Sequence, residues 1–184
     1  MPATDSAFRV GDDAPGFTLP DAVGGGRVTV GGALPYAPCT CVVFMCNHCP
    51  YVHYLLAHFV AMTRAYAPRD VRFVAISAND VLDYPQDAPQ HMQELALKME
   101  FGFPYLYDES QAVARSWGAV CTPEFFVLDG AGRLAYHGRY GAGRPGADKP
   151  AGEDLSAAMD AVLEGRAPAT EQFPSRGCSI KWKR

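Results

Sequence analysis

Cys46 and Cys49 stand three positions apart in the stretch Cys46-Asn47-His48-Cys49-Pro50. Two thiols at that spacing can close a small disulfide, grip a soft metal ion, or simply lie side by side. The run before them, residues 40–45, is nearly all apolar and reads as a buried strand. After them Val52, Leu55, Leu56, Phe59 and Val60 recur at helical spacing. Cys46 is therefore expected where a strand hands over to a helix. The unpaired N–H groups and the positive dipole end of a first helical turn favour a thiolate there. Such a site pulls a cysteine from about 8.5 to roughly 3.5–7.5. Pro50 is tolerated in the first turn. A Cys46–Cys49 disulfide fits across one turn and has no thiolate to stabilise, so the reduced form gains and the potential rises. His48 between the thiols either tunes them as a nearby imidazole or is a solvated turn residue.

A metal is the competing chemistry. Cys46, Cys49 and His53 form C-x-x-C-x-x-x-H, with His58 further along the helix. Cu(I) or Zn(II) takes such ligands, although no fourth ligand for a closed zinc site is evident. Of the remaining cysteines, Cys39 and Cys41 share a strand face and are expected to be inert, packed thiols. Cys121 precedes Thr122-Pro123, and Cys178 lies in "GCSIKW", where Ile180 and Trp182 alternate like a tail docked in extended form. From Gly165 the chain reaches about 45 Å to Cys178, against a radius of gyration of about 16 Å for a domain of this size. Cys121 and Cys178 are thus a candidate second redox pair or tail lock, set against two buried unpaired thiols. The Gly-rich stretches at 24–26 and 141–146 lack the phosphate-binding patterns, so no organic cofactor is implied.

The elements that must hold these residues alternate. "FTLP" and "RVTV" flank "DAVGGG" as a hairpin. A second buried strand is expected at 71–78, then a helix carrying Met92, Leu95, Ala96 and Met99, an extended "PYLYDE", and a short helix ending at Gly118. Strands at 124–128 and 134–140, joined through residues 129–132, form a hairpin. Leu155, Met159, Val162 and Leu163 mark a last helix stopped by Gly165, and residues 166–184 form a tail docked on the 1–165 domain. This order predicts an α/β fold with a mixed central sheet and helices on both faces.

The 184 residues, 48% hydrophobic and 20% charged, suit one globular domain. The net charge of −4 gives no reason to expect nucleic acid. The tail from Arg166 carries +4 (five basic residues, one acidic) and the rest −8, which suits docking on its own acidic body. No basic-then-apolar leader and no membrane-length stretch is visible, so a cytoplasmic location without a membrane partner is expected. The sequence is silent on oligomeric state.

"FMCNHCPYV", "GAVCTPEFFVLD" and "GCSIKWK" together resemble a bacterial group of peroxiredoxin-like proteins of AhpC/TSA type, within the thioredoxin-fold redoxins. The resemblance spans about residues 14–183. It implies a thioredoxin-like fold and a thiol–disulfide oxidoreductase acting on protein or small-molecule thiols and disulfides. It makes Cys46 the attacking thiol and Cys49 the resolving one. Pro123 would be a cis-proline against them, with Asn47 and His48 as tuning residues. Thr122 would offer its backbone to a substrate chain. Two departures stand out. The Pro and Thr of the peroxidatic P-x-x-x-T-x-x-C pattern are Cys39 and Val43 here, which leaves a weak peroxidase as an alternative. The buried aspartate of many thioredoxins is missing; Glu124 is either a substitute base or, as acids more often are, an exposed residue at a strand start.

Overall fold

The computed structural model of the chain describes residues 9–32 and 36–184. Five strands form the central sheet: β3 (Cys39–Phe44), β4 (Val71–Ser77), β5 (Tyr105–Tyr107), β7 (Glu124–Asp129) and β8 (Leu134–Gly138). Their spatial order is β5-β4-β3-β7-β8, with β3, β4 and β5 parallel and β7 and β8 antiparallel. Every residue of β3 is buried, because both faces of this central strand are covered. Ahead of it, β1 (Phe17–Pro20) and β2 (Arg27–Val30) form the expected hairpin.

Period-two alternation splits the sheet residues between two cores. Cys39, Cys41, Val43, Phe73, Ala75, Phe125 and Val127 face α1 (Pro50–Tyr66), α2 (Pro89–Lys98) and α4 (Glu153–Leu163). Val42, Phe44, Val74, Ile76, Phe126 and Leu128 face the hairpin, α3 (Ala112–Trp117) and the tail residue Ile180. Trp117 is fully buried against Phe17, Phe44 and Phe126. Cys39 and Cys41 sit in the first core with no exposed surface, and burial pushes Cys39 up to about 12 and Cys41 well above the ordinary thiol range.

The expected strands and helices are all present, with ends shifted by a few residues. Two short strands were not expected: β6 (Cys121–Thr122) and β9 (Cys178–Ser179), which pair with each other antiparallel, away from the central sheet. Two residues give too short a pattern for periodicity to register. The tail docks mainly through hydrogen bonds and the buried Ile180 rather than by the expected charge attraction. Among the described residues its one ion pair is Arg166 with Glu164. Among the described residues no helix is long and apolar enough to cross a membrane.

Candidate active site

The chain leaves β3 at Phe44 and enters α1 at Pro50, so Cys49 is the residue that caps the helix. Proline supplies the helical φ at the first position, where no intrahelical N–H bond is lost. Both thiols are sealed in: Cys46 is 1% exposed and Cys49 0%. Each is the largest influence on the other's proton. Cys49 is lowered to about 4, chiefly because Cys46 donates to it, with further help from Cys178, the Thr122 side chain and the Val52 N–H of the first helical turn. Val52 exerts this pull without closing a capping hydrogen bond. Cys46 is raised well above the ordinary range by giving up its proton last within the pair, by burial, and by the Asp87 carboxylate. The expectation that Cys46 carries the helix-stabilised thiolate is therefore corrected. The helix starts one residue past the pair, so its end faces Cys49. When protonated, Cys49 instead donates to the Thr122 carbonyl at 3.1 Å.

Asp87 was not singled out from the sequence, yet it organises the turn between the thiols. It has no exposed surface. Its carboxylate accepts from Asn47 N–H at 2.8 Å, His48 N–H at 3.2 Å, His48 Nδ1 at 2.6 Å and Asn79 Nδ2 at 2.8 Å. Four donors satisfy a buried acid that would otherwise be expensive to hold. His48 is thus a partnered group and not a solvated one: it is stacked on Tyr84 at 5.2 Å, and its Nδ1 lies 3.8 Å from Cys46 Sγ. The Asn47 side chain is also committed, donating to the Gln86 carbonyl and accepting from Tyr105. Asp87 lies in "DYPQDAP", a polar proline-containing loop indistinguishable from any surface turn; only its approach across 39 residues makes it part of the site.

On the opposite side lies β6. The Thr122–Pro123 bond is cis, and Thr122 Oγ1 sits 3.4 Å from Cys46 Sγ. Glu124 is 3% exposed, which removes the reading of an exposed strand-start acid. Its Oε2 accepts from Val120 N–H at 2.8 Å and Cys121 N–H at 3.1 Å, and His137 Nε2 bonds Oε1 at 2.7 Å. Its nearest thiol contact is Cys121, at 3.7 Å. Glu124 accordingly pins β6 instead of reaching either Cys46 or Cys49, which is where a substitute base would have to act.

The structure does not bring Cys121 and Cys178 together as a pair. Cys121 stands opposite Ser179 and Thr122 opposite Cys178, so strand alternation turns the two cysteines to opposite faces of the ribbon. Cys121 turns to Glu124 and is pushed above the ordinary thiol range by burial and that carboxylate. Cys178 turns to the core that holds the active-site pair, where it and Cys49 shift each other's proton affinity. The Thr122 backbone, expected to meet a substrate chain, is occupied by the protein's own tail.

The alternative metal set of Cys46, Cys49 and His53 is not assembled. His53 Nε2 is engaged by the Asn47 carbonyl, and His58 bonds Tyr140. The ligand atoms that do gather, within 4.8 Å of one another, belong to Cys46, His48 and Asp87.

The AhpC/TSA family is matched over residues 10–137. A conserved protein from Geobacillus kaustophilus is similar over 100% of this chain and 97% of its own, with 42% identity and a TM-score of 0.91. A hypothetical protein from Sinorhizobium meliloti is similar over 96% of each chain, with 39% identity and a TM-score of 0.91. A putative thioredoxin from Neisseria meningitidis shares 19% identity with a TM-score of 0.63, covering 82% of this chain and 89% of that one, a likeness of fold. The architecture is thioredoxin-like. A search of curated proteins gives no match.

Proposed function

The chain belongs to the AhpC/TSA family, and from that premise we propose that it is a thiol–disulfide oxidoreductase working through Cys46 and Cys49. The observation that carries this reading is the buried thiol pair at the start of α1 facing the cis Thr122–Pro123 bond, with Cys46 Sγ 3.4 Å from Thr122 Oγ1 and Cys49 Sγ 3.1 Å from the Thr122 carbonyl. Their proximity lowers Cys49 and leaves the proton on Cys46. As Cys46 attacks one substrate sulfur its proton passes to the adjacent Cys49 thiolate, and the other substrate sulfur leaves as a thiolate. That thiolate takes the proton back from Cys49, which attacks Cys46 in turn, forming the Cys46–Cys49 disulfide and releasing the second substrate sulfur as a thiolate. The substrate gains two electrons and the pair loses two. Run backwards, the same steps oxidise a dithiol.

Asn47 and His48 shape the rim through Asp87, and Thr122 and Pro123 form the facing wall, positioned by Glu124. Support for the peroxidase alternative is weaker. Val43 is a buried apolar residue at the position where a peroxide-binding hydroxyl is needed. The substrates of this reading are protein or small-molecule thiols and disulfides.

A thiol held ionised stabilises the reduced form, so the pair is expected to be more oxidising than thioredoxin at about −270 mV. Equilibration in glutathione buffers, followed by alkylation and peptide mass mapping, measures this directly. A potential at or below that of thioredoxin removes the oxidant character, and failure to form any Cys46–Cys49 disulfide removes the reading itself.

A further inference from the structure

We propose that Cys178 is a third redox thiol of this site, which takes over the disulfide from the pair as Cys49–Cys178 and returns Cys46 to its reduced state. This rests on the oxidoreductase reading above. The tail is built to deliver this sulfur. β9 pairs with β6 in a register that sets Cys178 opposite Thr122, and the Ile180 N–H bonds the Val120 carbonyl at 3.0 Å. Further on, the Lys181 N–H bonds Asn79 Oδ1 at 2.8 Å, while the Lys181 carbonyl accepts from Gln111 Nε2 at 2.8 Å and Asp80 N–H at 2.8 Å. Ile180 is buried in the core under the sheet. Gly177 has no room for a side chain: a Cβ there collides with the Thr122 carbonyl. The close approach of the tail to β6 therefore depends on glycine at this position.

Cys49 Sγ lies 3.1 Å from the Thr122 carbonyl, and the β6–β9 register sets Cys178 opposite that same residue. Cys178 packs on the core that contains the pair, and both Cys46 and Cys178 pull Cys49 below the ordinary thiol range. One sulfur with two thiol neighbours is the common member of two alternative disulfides. Starting from oxidised Cys46–Cys49, the Cys178 thiol loses its proton and its thiolate attacks the Cys49 sulfur. The Cys49–Cys178 bond forms, the Cys46–Cys49 bond breaks, and Cys46 leaves with the electron pair and takes up a proton. One disulfide and one thiol exist before and after, so no outside oxidant or reductant enters. Cys178 is partly exposed whereas Cys46 and Cys49 are sealed. The exchange thus carries the oxidised state from the buried pair to a sulfur that outside thiols reach, and it ties down the tail.

The test begins with fully reduced full-length protein, which is treated with substoichiometric oxidised glutathione. Samples are quenched in acid at intervals, alkylated and mapped without reduction. The expected result is Cys46–Cys49 first, giving way to Cys49–Cys178 at constant total disulfide, and Cys49–Cys178 as the product in Cys46→Ser. In Gly177→Ala, which displaces the tail without touching a thiol, formation of that bond slows roughly 100-fold, the scale of a misplaced reactant. Cys46–Cys49 accumulating with Cys178 free to equilibrium, and only glutathione adducts in Cys46→Ser, overturns this proposal and leaves the oxidoreductase reading standing. Absence of Cys46–Cys49 at every ratio overturns both.

Discussion

At the scale of residues, the character of the site is set by how one proton is divided between two sulfurs. The fold depresses Cys49 to about 4 from an ordinary 9.0 and raises Cys46. A group with a depressed folded-state pKa stabilises the native state above its unfolded value, and that stabilisation is lost as pH falls through the folded value. The reduced protein is therefore expected to gain stability as pH rises from about 4 toward 9.0. Above that range the raised Cys46 reverses the slope, because the unfolded chain then releases a proton that the native site retains. Thiolate ultraviolet absorbance of the reduced protein is expected to titrate with a midpoint near 4 and to move upward in Cys46→Ala, which removes the main donor to Cys49. A midpoint in the ordinary range of about 8.5 would refute the assignment. The thiols themselves were legible from spacing alone. Which sulfur carries the charge was not, because it depends on the helix starting at Pro50 and on Asp87, and neither is encoded near the cysteines as a pattern.

At the scale of elements, the short strand β6 links the active site to the tail, and Glu124 is its anchor. Its buried carboxylate satisfies two successive N–H groups, at Val120 and Cys121, and is itself held by His137, which is stacked on Phe126 at 4.2 Å. Hydrogen bonds to a charged acceptor contribute about 1.5–3 kcal/mol. Glu124→Gln keeps the shape but loses the charge and turns a donor toward donors, so it is expected to lower the midpoint of thermal unfolding by about 3–12 °C. Cys178 should also alkylate faster in the reduced variant, because β9 rests on β6. Unchanged melting with unchanged alkylation would show that Glu124 does not position the strand. The major elements were readable because each repeats an apolar pattern over several residues. β6 and β9 were not, since each exists through its partner, some 57 residues away in the register Cys121↔Ser179 and Thr122↔Cys178. The alternation of Ile180 and Trp182 foretold that the tail would dock extended, but not where.

At the scale of the whole molecule, the tail and the thiol pair are joined by a second route that bypasses β6. Asn79 follows β4 and is 2% exposed. Its Oδ1 accepts the tail's Lys181 N–H at 2.8 Å and its Nδ2 donates to Asp87 Oδ2 at 2.8 Å. Asp87 in turn holds Asn47 and His48 beside Cys46. One amide thus bridges the docked tail and the turn between the cysteines, and the order of one depends on that of the other. Asn79→Ala leaves the Lys181 N–H without its partner and Asp87 Oδ2 with His48 Nδ1 alone. An unsatisfied buried group costs about 1–3 kcal/mol, so a loss of about that size is expected by denaturant unfolding. A purely structural residue would stop there. The bridge predicts two further changes: the amides of Ile180 and Lys181 exchange faster while those of β3 keep their relative protection, and the thiolate titration of Cys49 moves upward as Cys178 leaves its side. A stability loss with the tail amides and the titration both unmoved would separate the tail from the thiols.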